Sequence, residues 1–203
     1  EAVVPPFDAP RAVHHGPYWL ARVRGAELAP AAYTPPSSGR AARALAHGPA
    51  HETLELDLHA GRARKLAPLQ IDLCGIAKGY GVDQMTAVLQ AHGVAHALAA
   101  LDGELRALGT QASGEPWAVA VESPEPGRRA ARGVIELADL AVATSGDYRR
   151  WVQIGDARLS HTMDGRRAAP VKGGVASVTV LATDCMSADA WATALLVAGP
   201  AEG

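Results

Sequence analysis

One stretch near the middle of the chain restricts the fold more than any other. In residues 71–83 an apolar, strand-like run reaches Gly75, and Lys78 and Gly79 follow just before a helical pattern that continues through Gln90. A helix start presents unpaired N–H groups and the positive end of the helix dipole, and glycine lets a ligand come close. The stretch therefore predicts an anion-binding turn. Taken alone, it is equally compatible with a plain loop and a solvated lysine.

Composition restricts the class of protein. The chain has 203 residues, of which 48% are apolar, so it can form one domain or a large and a small lobe. Only 20% of residues are charged and the net charge is −2, which does not favour a nucleic-acid partner. No apolar run approaches the ~20 residues of a membrane span, and the first residues do not resemble a signal peptide.

Hairpins and helices alternate along the rest of the chain. Alternating patterns predict hairpins at residues 51–66 and 151–161, and Asp102-Gly103 is a hairpin-turn signal. Helices are predicted at residues 37–46, through the central stretch to Gly93, and at 187–197, the last capped near Asp184 or Ser187. Mostly antiparallel sheet packed with about three helices predicts an α+β fold.

The last predicted helix contains two candidate metal ligands. Asp189 and Thr193 are four residues apart and share one face of an otherwise apolar helix. A buried aspartate needs a partner, and a hard cation such as magnesium takes carboxylate and hydroxyl oxygens. A local interpretation, which this pattern alone favours, is that Asp189 caps or pairs nearby and Thr193 bonds back to the helix.

His161 and Asp164 form a second candidate pair near the end of a hairpin. A histidine close to a carboxylate can act as a general base at neutral pH. A structural turn held by Asp164 explains the spacing equally well.

Five motifs resemble, in order and spacing, those of the ApbE family, the FAD:protein FMN transferases. The resemblance covers residues 36–199 and leaves 1–35 poorly matched. The motifs are Asp72-Leu73-Cys74-Gly75-Ile76-Ala77-Lys78-Gly79-Tyr80, Asp102-Gly103-Glu104-Leu105-Arg106-Ala107-Leu108-Gly109, Thr144-Ser145-Gly146-Asp147-Tyr148, Ser160-His161-Thr162-Met163-Asp164 and Ser187-Ala188-Asp189-Ala190-Trp191-Ala192-Thr193.

The resemblance implies an ApbE-like fold and a set of ligand roles. FAD is the implied substrate, with Asp72 and Lys78 in contact with it and Met163 lining the flavin site mainly through its backbone. Mg²⁺ is the implied cofactor, held by the Asp189 carboxylate, the Thr193 hydroxyl and a backbone carbonyl that we assign to Gly75, with neighbouring Ala77 as the alternative.

The same resemblance implies the chemistry. A threonine or serine hydroxyl of an acceptor protein attacks, FMN stays on that hydroxyl and AMP leaves. His161 is the candidate base and Asp164 its orienting partner. Two alternatives remain open, namely a protein that binds FAD without transferring it and a hydrolase that yields free FMN and AMP. Family resemblance further implies a periplasmic or membrane-associated location.

The two cysteines raise a separate question. Cys74 and Cys185 each precede a predicted helix of the proposed metal site, so they lie close together in this interpretation. They could pair in an oxidising compartment if their Cα atoms lie within ~7 Å of each other.

Overall fold

The computed structural model of the chain describes residues 13–15, 18–20, 50–67, 71–125, 127, 129–154, 157–167, 169–171 and 174–201. Two compact units are distinguished, residues 1–73 with 166–168, and residues 74–165 with 169–203. The boundary predicted after residue 35 and the helix predicted at 37–46 lie outside the described residues.

The described residues of the first unit form two antiparallel hairpins. Its elements are β1 (Val13–His15), β2 (Tyr18–Leu20), α1 (Ala50–Thr53), β3 (Leu54–Asp57) and β4 (Arg62–Lys65), with β1 paired to β2 and β3 to β4. The hairpin predicted at 51–66 is confirmed, but its first residues were assigned to a strand and instead form the helical turn α1. Polar–apolar alternation over three residues is too short to distinguish a strand from one turn of helix.

In the second unit, the residues that the structure describes form two longer helices and ten strands. In chain order these elements are α2 (Ala77–Ala91), β5 (Ala97–Leu101), β6 (Glu104–Leu108), β7 (Trp117–Glu122), β8 (Ala131–Leu137), β9 (Ala141–Gly146), β10 (Trp151–Ile154), β11 (Ala157–Ser160), β12 (Met163–Asp164), β13 (Ala169–Pro170), β14 (Ser177–Ala182) and α3 (Cys185–Ala198). Four strands form a sheet in the order β14-β9-β6-β5, and β7–β8, β10–β11 and β12–β13 form separate pairs. All of these pairings are antiparallel, which confirms the predicted α+β class.

The Asp102-Gly103 turn joins β5 to β6 as predicted. Both residues have positive φ, 49° and 108°, as the central residues of a type I′ turn do. Aspartate and glycine tolerate this conformation better than most residues. The turn therefore sets the register in which Glu104 begins β6 opposite Leu101.

Both long helices pack close to the four-stranded sheet. Helix α3 lies against β9 and β14 and also packs on α2, which contacts β5 and β6. Two groups of buried apolar side chains pack together, Val82, Ala99, Ala141 and Cys185 in one, and Ala107, Leu137 and Val142 in the other. In the described part of the chain, no helix is long and apolar enough to cross a membrane.

The start of α3 is capped from its own sequence and from α2. Asp184 is the N-cap and accepts a hydrogen bond from the Ser187 N–H at 2.8 Å, within the region predicted to cap this helix. Asp83 of α2 accepts from the N–H groups of Cys185 and Met186, each at 2.9 Å. These bonds satisfy amides that the helix itself leaves unpaired, and they fix α3 against α2.

Candidate active site

The first turn of α2 lies directly against the start of α3. A Cβ atom at Gly79 would lie 2.3 Å from the carbonyl oxygen of Cys185, closer than any side chain tolerates. Glycine at this position therefore allows the two helix starts to touch. Polar groups from both helices meet at this contact.

Asp189 joins the two helices through a buried hydrogen bond. Its side chain lies on α3 with the residue only 3% exposed, and Oδ2 accepts from the Gly79 N–H at 3.0 Å. The partner lies 110 residues away in sequence, so this hydrogen bond of the carboxylate is a tertiary contact rather than a local cap. The N–H donor belongs to the positively polarised end of α2, which favours a negative charge there.

Thr193 lies one turn further along α3 and faces the turn before α2. A Cβ atom at Gly75 would lie 3.1 Å from Thr193 Oγ1, so the Gly75 backbone is in close contact with this side chain. Thr193 Oγ1 also hydrogen-bonds Ser145 Oγ on β9 at 2.9 Å. The structure thus brings together Gly75, Asp189 and Thr193, the three residues assigned to the metal from sequence.

Lys78 and Glu104 form an ion pair beside this cluster. Lys78 Nζ lies 2.5 Å from Glu104 Oε1, and the side chains are 39% and 2% exposed. Glu104 Oε2 is buried and has no hydrogen-bond partner among the described residues. Burial raises the pKa of Glu104, the charge of Asp189 adds to that rise, and Lys78 opposes it.

A second polar cluster contains His161, which follows β11. The His161 side chain is exposed, and its Nδ1 lies 2.8 Å from the carbonyl oxygen of Arg150. A carbonyl oxygen only accepts, so in the neutral ring Nδ1 carries the proton and Nε2 has the free lone pair. This is the form that a general base requires.

The remaining predicted site residues are placed as follows. Asp164 is 2% exposed on β12, next to Met163, which is 51% exposed. The His161 ring is hydrogen-bonded to the Arg150 carbonyl, and orientation of the ring by Asp164 stays a prediction. Asp72 is exposed and belongs to the first compact unit, and its contact with FAD also stays a prediction.

The family of the chain follows from its match to known proteins. The sequence profile of the ApbE family matches residues 19–203. The chain belongs to the ApbE family.

Curated relatives of this ApbE chain are named FAD:protein FMN transferase. The Vibrio cholerae protein is 40% identical over 141 residues, which cover 70% of this chain and 42% of that protein. The Escherichia coli K12 protein is 33% identical over 137 residues, covering 68% and 39%. The chain therefore spans about two fifths of the length of these relatives.

Solved structures support the same assignment. The ApbE protein of Thermotoga maritima matches with a TM-score of 0.70 and 31% identity, over 82% of this chain and 53% of that one. The flavin transferase ApbE from Vibrio cholerae matches with a TM-score of 0.66 and 35% identity, over 82% and 52%. The ApbE fold predicted from the motifs is confirmed.

Several residues of the ApbE site were not assigned from sequence. Glu104 and Ser145 lie inside two of the quoted motifs, which was the available signal, but their contacts with Lys78 and Thr193 depend on strand register. Arg150 lies two residues after the motif that contains Ser145. Its carbonyl oxygen contacts the His161 ring, and its Nη2 donates to the Asp102 carboxylate at 3.1 Å.

The proposed cysteine pair is absent from the structure. Cys74 is exposed, whereas Cys185 is buried and its thiol donates a weak hydrogen bond to the Leu105 carbonyl at 3.6 Å. Both helix starts are therefore held by the contacts described above and not by a disulfide.

Proposed function

We propose that this ApbE chain transfers FMN from FAD to a threonine or serine hydroxyl of an acceptor protein and releases AMP. The observation that carries the proposal is the convergence of Gly75, Asp189 and Thr193 at the start of α2, beside Lys78. Oxygen ligands, a helix N-terminus and a cation at one place suit a pyrophosphate with a bound hard cation. The names of the curated relatives support the same reaction.

The donor set fits Mg²⁺. Among the described residues no group of three or more His, Cys, Asp or Glu side chains could hold a metal, so the site we propose relies on one carboxylate, one hydroxyl and one carbonyl. Glu104 Oε2, buried without a partner, adds negative potential that a cation would offset. Asp189, Thr193 and the Gly75 carbonyl would hold the ion, which supplies charge neutralisation at the phosphates when bound.

Lys78 and the start of α2 form the proposed anion-binding part of the site. The ammonium group has three donors, and the Glu104 contact uses one of them. Ile76 at the N-cap position offers no side-chain acceptor to the first amides of α2, of which the Gly79 N–H is already bonded to Asp189. We propose that Lys78 binds the FAD pyrophosphate, with Asp72 and Met163 as further FAD contacts.

His161 is the proposed general base. The hydroxyl oxygen of the acceptor forms a bond to the FMN phosphorus, the bond from that phosphorus to the AMP oxygen breaks, and the hydroxyl proton moves to His161 Nε2. Hydrogen bonding of Nδ1 to the Arg150 carbonyl leaves Nε2 available for that proton. We propose Asp164 as a second group that orients the ring.

The deciding experiment measures AMP release from FAD with and without magnesium, in the presence of a threonine-containing acceptor protein. In-gel flavin fluorescence is read on the same samples. AMP together with a fluorescent acceptor band is expected. AMP with only free FMN would indicate the hydrolase, and bound FAD without AMP would indicate a binding protein.

The location and partners of the chain follow as proposals. We propose a periplasmic or membrane-associated location, which fractionation of cells with an antibody to this chain tests. A net charge of −2 gives no reason to propose a nucleic-acid partner.

A further inference from the structure

Residues 147–150 form a short segment between β9 and β10 that lies next to the proposed base. The segment starts after Gly146, where a Cβ atom would lie 2.8 Å from the Tyr148 ring and 2.9 Å from the Ala176 carbonyl oxygen. The Asp147 N–H donates to that same carbonyl at 3.3 Å. A close backbone approach therefore fixes the beginning of the segment.

Glu122, at the end of β7, holds the side chains of this segment. Its Oε2 accepts from Tyr148 OH at 2.9 Å and from Arg149 Nε at 2.7 Å, and its Oε1 accepts from Arg149 Nη2. The two Arg149 bonds form a bidentate pair, the geometry that gives an arginine–carboxylate contact its directionality. Hydrogen bonding by Arg149 and then Tyr148 lowers the pKa of Glu122, so the carboxylate is charged at neutral pH.

Arg158, on β11, holds the backbone of the same segment. Its Nη2 donates to the carbonyl oxygens of Asp147 and Tyr148, each at 3.1 Å. The guanidinium also lies over the Trp151 ring, 4.9 Å from its centroid, which limits the orientations available to it. The segment is therefore held through its side chains by β7 and through its carbonyls by β11.

The last carbonyl of the segment, that of Arg150, meets His161 Nδ1 at 2.8 Å. His161 comes three residues after Arg158 and directly follows the end of β11, so the strand that holds the segment leads into the residue that carries the ring. The direction of this carbonyl decides which ring nitrogen keeps the proton. If the Arg150 carbonyl pointed elsewhere, the neutral ring could carry its proton on Nε2 instead of Nδ1. Such a ring cannot accept a second proton at Nε2.

We propose that Glu122 is a positioning residue, which sets the tautomer of His161 through Arg149, Tyr148 and the Arg150 carbonyl, with Arg158 as the second clamp. The catalytic consequence rests on the proposed function, whereas the tautomer itself does not. Glu122 touches no reacting atom in this scheme.

A purely structural ion pair predicts a different result. Glu122 and Arg149 are 27% and 44% exposed, and exposed ion pairs contribute little to stability. The Glu55–Arg64 pair of the β3–β4 hairpin is a matched case, at 53% and 73% exposed. If both pairs act only on stability, loss of either pair should lower stability by a similar small amount. Neither loss should then change the tautomer of the His161 ring.

The experiment compares Glu122→Gln with Glu55→Gln in the full chain labelled with ¹⁵N-histidine. Two-bond ¹H–¹⁵N spectra at a pH where the rings are neutral distinguish the Nδ1–H and Nε2–H tautomers. The protein has eight histidines, so His161→Gln identifies the relevant signals by their disappearance. FMN transfer is measured on the same proteins as kcat and as KM for FAD.

The wild type and Glu55→Gln should show the Nδ1–H tautomer at His161, and Glu122→Gln should shift it towards Nε2–H. We expect kcat of Glu122→Gln to fall by about 10-fold, part of the contribution of a general base, with KM for FAD unchanged. If Glu122→Gln does not fold, Arg149→Lys keeps the charge but loses the bidentate geometry, and it should shift the tautomer in the same direction.

An Nε2–H ring in the wild type would overturn the proposal, and so would an unchanged Nδ1–H ring in Glu122→Gln. An equal tautomer shift in Glu55→Gln would also overturn it, since the effect would then not pass through residues 147–150. Full transfer activity in His161→Gln would instead remove the base from the proposed function. The spectra would still decide the positioning role.

Discussion

The Gly79 N–H donates to Asp189 Oδ2 at 3.0 Å, across a contact in which a single methyl group at Gly79 would collide with the Cys185 carbonyl. Gly79 therefore has two roles. Its lack of a side chain lets the two helices approach, and its amide holds the Asp189 carboxylate. Its two properties can be tested separately, because alanine keeps the N–H and adds only a methyl group.

Replacing Asp189 by Asn should abolish most metal-dependent AMP release while leaving the chain folded. The amide oxygen of Asn can still accept from Gly79, but the negative charge that a hard cation requires is lost. We expect AMP release to fall by about 100-fold, the order of loss when one electrostatic contact at a reacting centre is removed. The measurement is AMP formation against magnesium concentration, with circular dichroism to check the fold.

Asp139→Asn is the matched control for this change. Asp139 also accepts a hydrogen bond from a glycine N–H, that of Gly109 at 2.7 Å, but it lies outside the proposed site. Its φ of 53° is one that Asn tolerates well. AMP release that stayed intact in Asp189→Asn, or fell equally in both variants, would contradict the metal assignment.

Gly79→Ala should lower the free energy of unfolding by about 1–3 kcal/mol, the usual cost of forcing extra volume into a packed contact. The obstacle is backbone, because the Cβ atom would lie 2.3 Å from the Cys185 oxygen, so no side chain can turn away. Urea unfolding followed by circular dichroism measures the change.

Gly81→Ala, two residues along the same helix, serves as the comparison. Its Cβ atom would meet only the end of the Leu101 side chain, at 3.3 Å, and alanine favours helix over glycine. We expect between no change and about 1 kcal/mol of added stability. Equal destabilisation by both substitutions would show that the crossing at Gly79 is not the constraint.

The sequence supplied candidate site residues but not the contacts between them. Spacing placed Asp189 and Thr193 on one helix face, and the motifs placed Gly75 beside them, because helical periodicity and short turns are local properties. The Glu104–Lys78 and Ser145–Thr193 contacts join residues 26 and 48 positions apart. Such contacts depend on strand register and helix packing, which no local pattern encodes.

The same distinction explains the prediction about Asp189 itself. Spacing alone favoured a local partner, since a carboxylate in a helix commonly bonds a nearby backbone group. The observed donor, Gly79, is near in space only because of the close crossing of α2 and α3. The motifs singled out Asp189 as a candidate ligand, which stays a prediction, and its bond to Gly79 was visible only in the three-dimensional structure.

Glu104 should make stability depend on pH in a defined direction. Burial raises its pKa in the folded chain above the ordinary value, so the folded state binds the proton more tightly than the unfolded state. Its contribution is therefore fully present below the unfolded pKa and is lost as the pH rises through the folded value. In EDTA, the unfolding free energy of the wild type, taken relative to that of Glu104→Gln, should therefore decrease as the pH is raised from about 4.

Glu122→Gln should give the opposite slope. Its partners lower the pKa of Glu122, so its contribution is present above the unfolded pKa and is lost as the pH falls. Urea unfolding of both variants and the wild type at several pH values tests the pair together. Slopes of the same sign would refute the different environments that we assign to these two carboxylates.

The two cysteines should differ sharply in reactivity. Burial, together with the nearby carboxylates Asp83, Glu104 and Asp189, raises the pKa of Cys185 to about 12. Only the thiolate reacts rapidly with alkylating reagents, and the buried thiol is also out of reach. Cys74 is exposed, so iodoacetamide at pH 8 should modify Cys74 in the folded chain and leave Cys185 unmodified.

Mass spectrometry of peptides from native and urea-unfolded samples measures this difference. Unfolding removes both the burial and the neighbouring carboxylates, so Cys185 should then react at a rate similar to that of Cys74. Cys74→Ser is the control and should leave the folded chain unreactive. Rapid native labelling of Cys185 in that variant would show that the start of α3 opens, and with it the contact that holds Asp189 against Gly79.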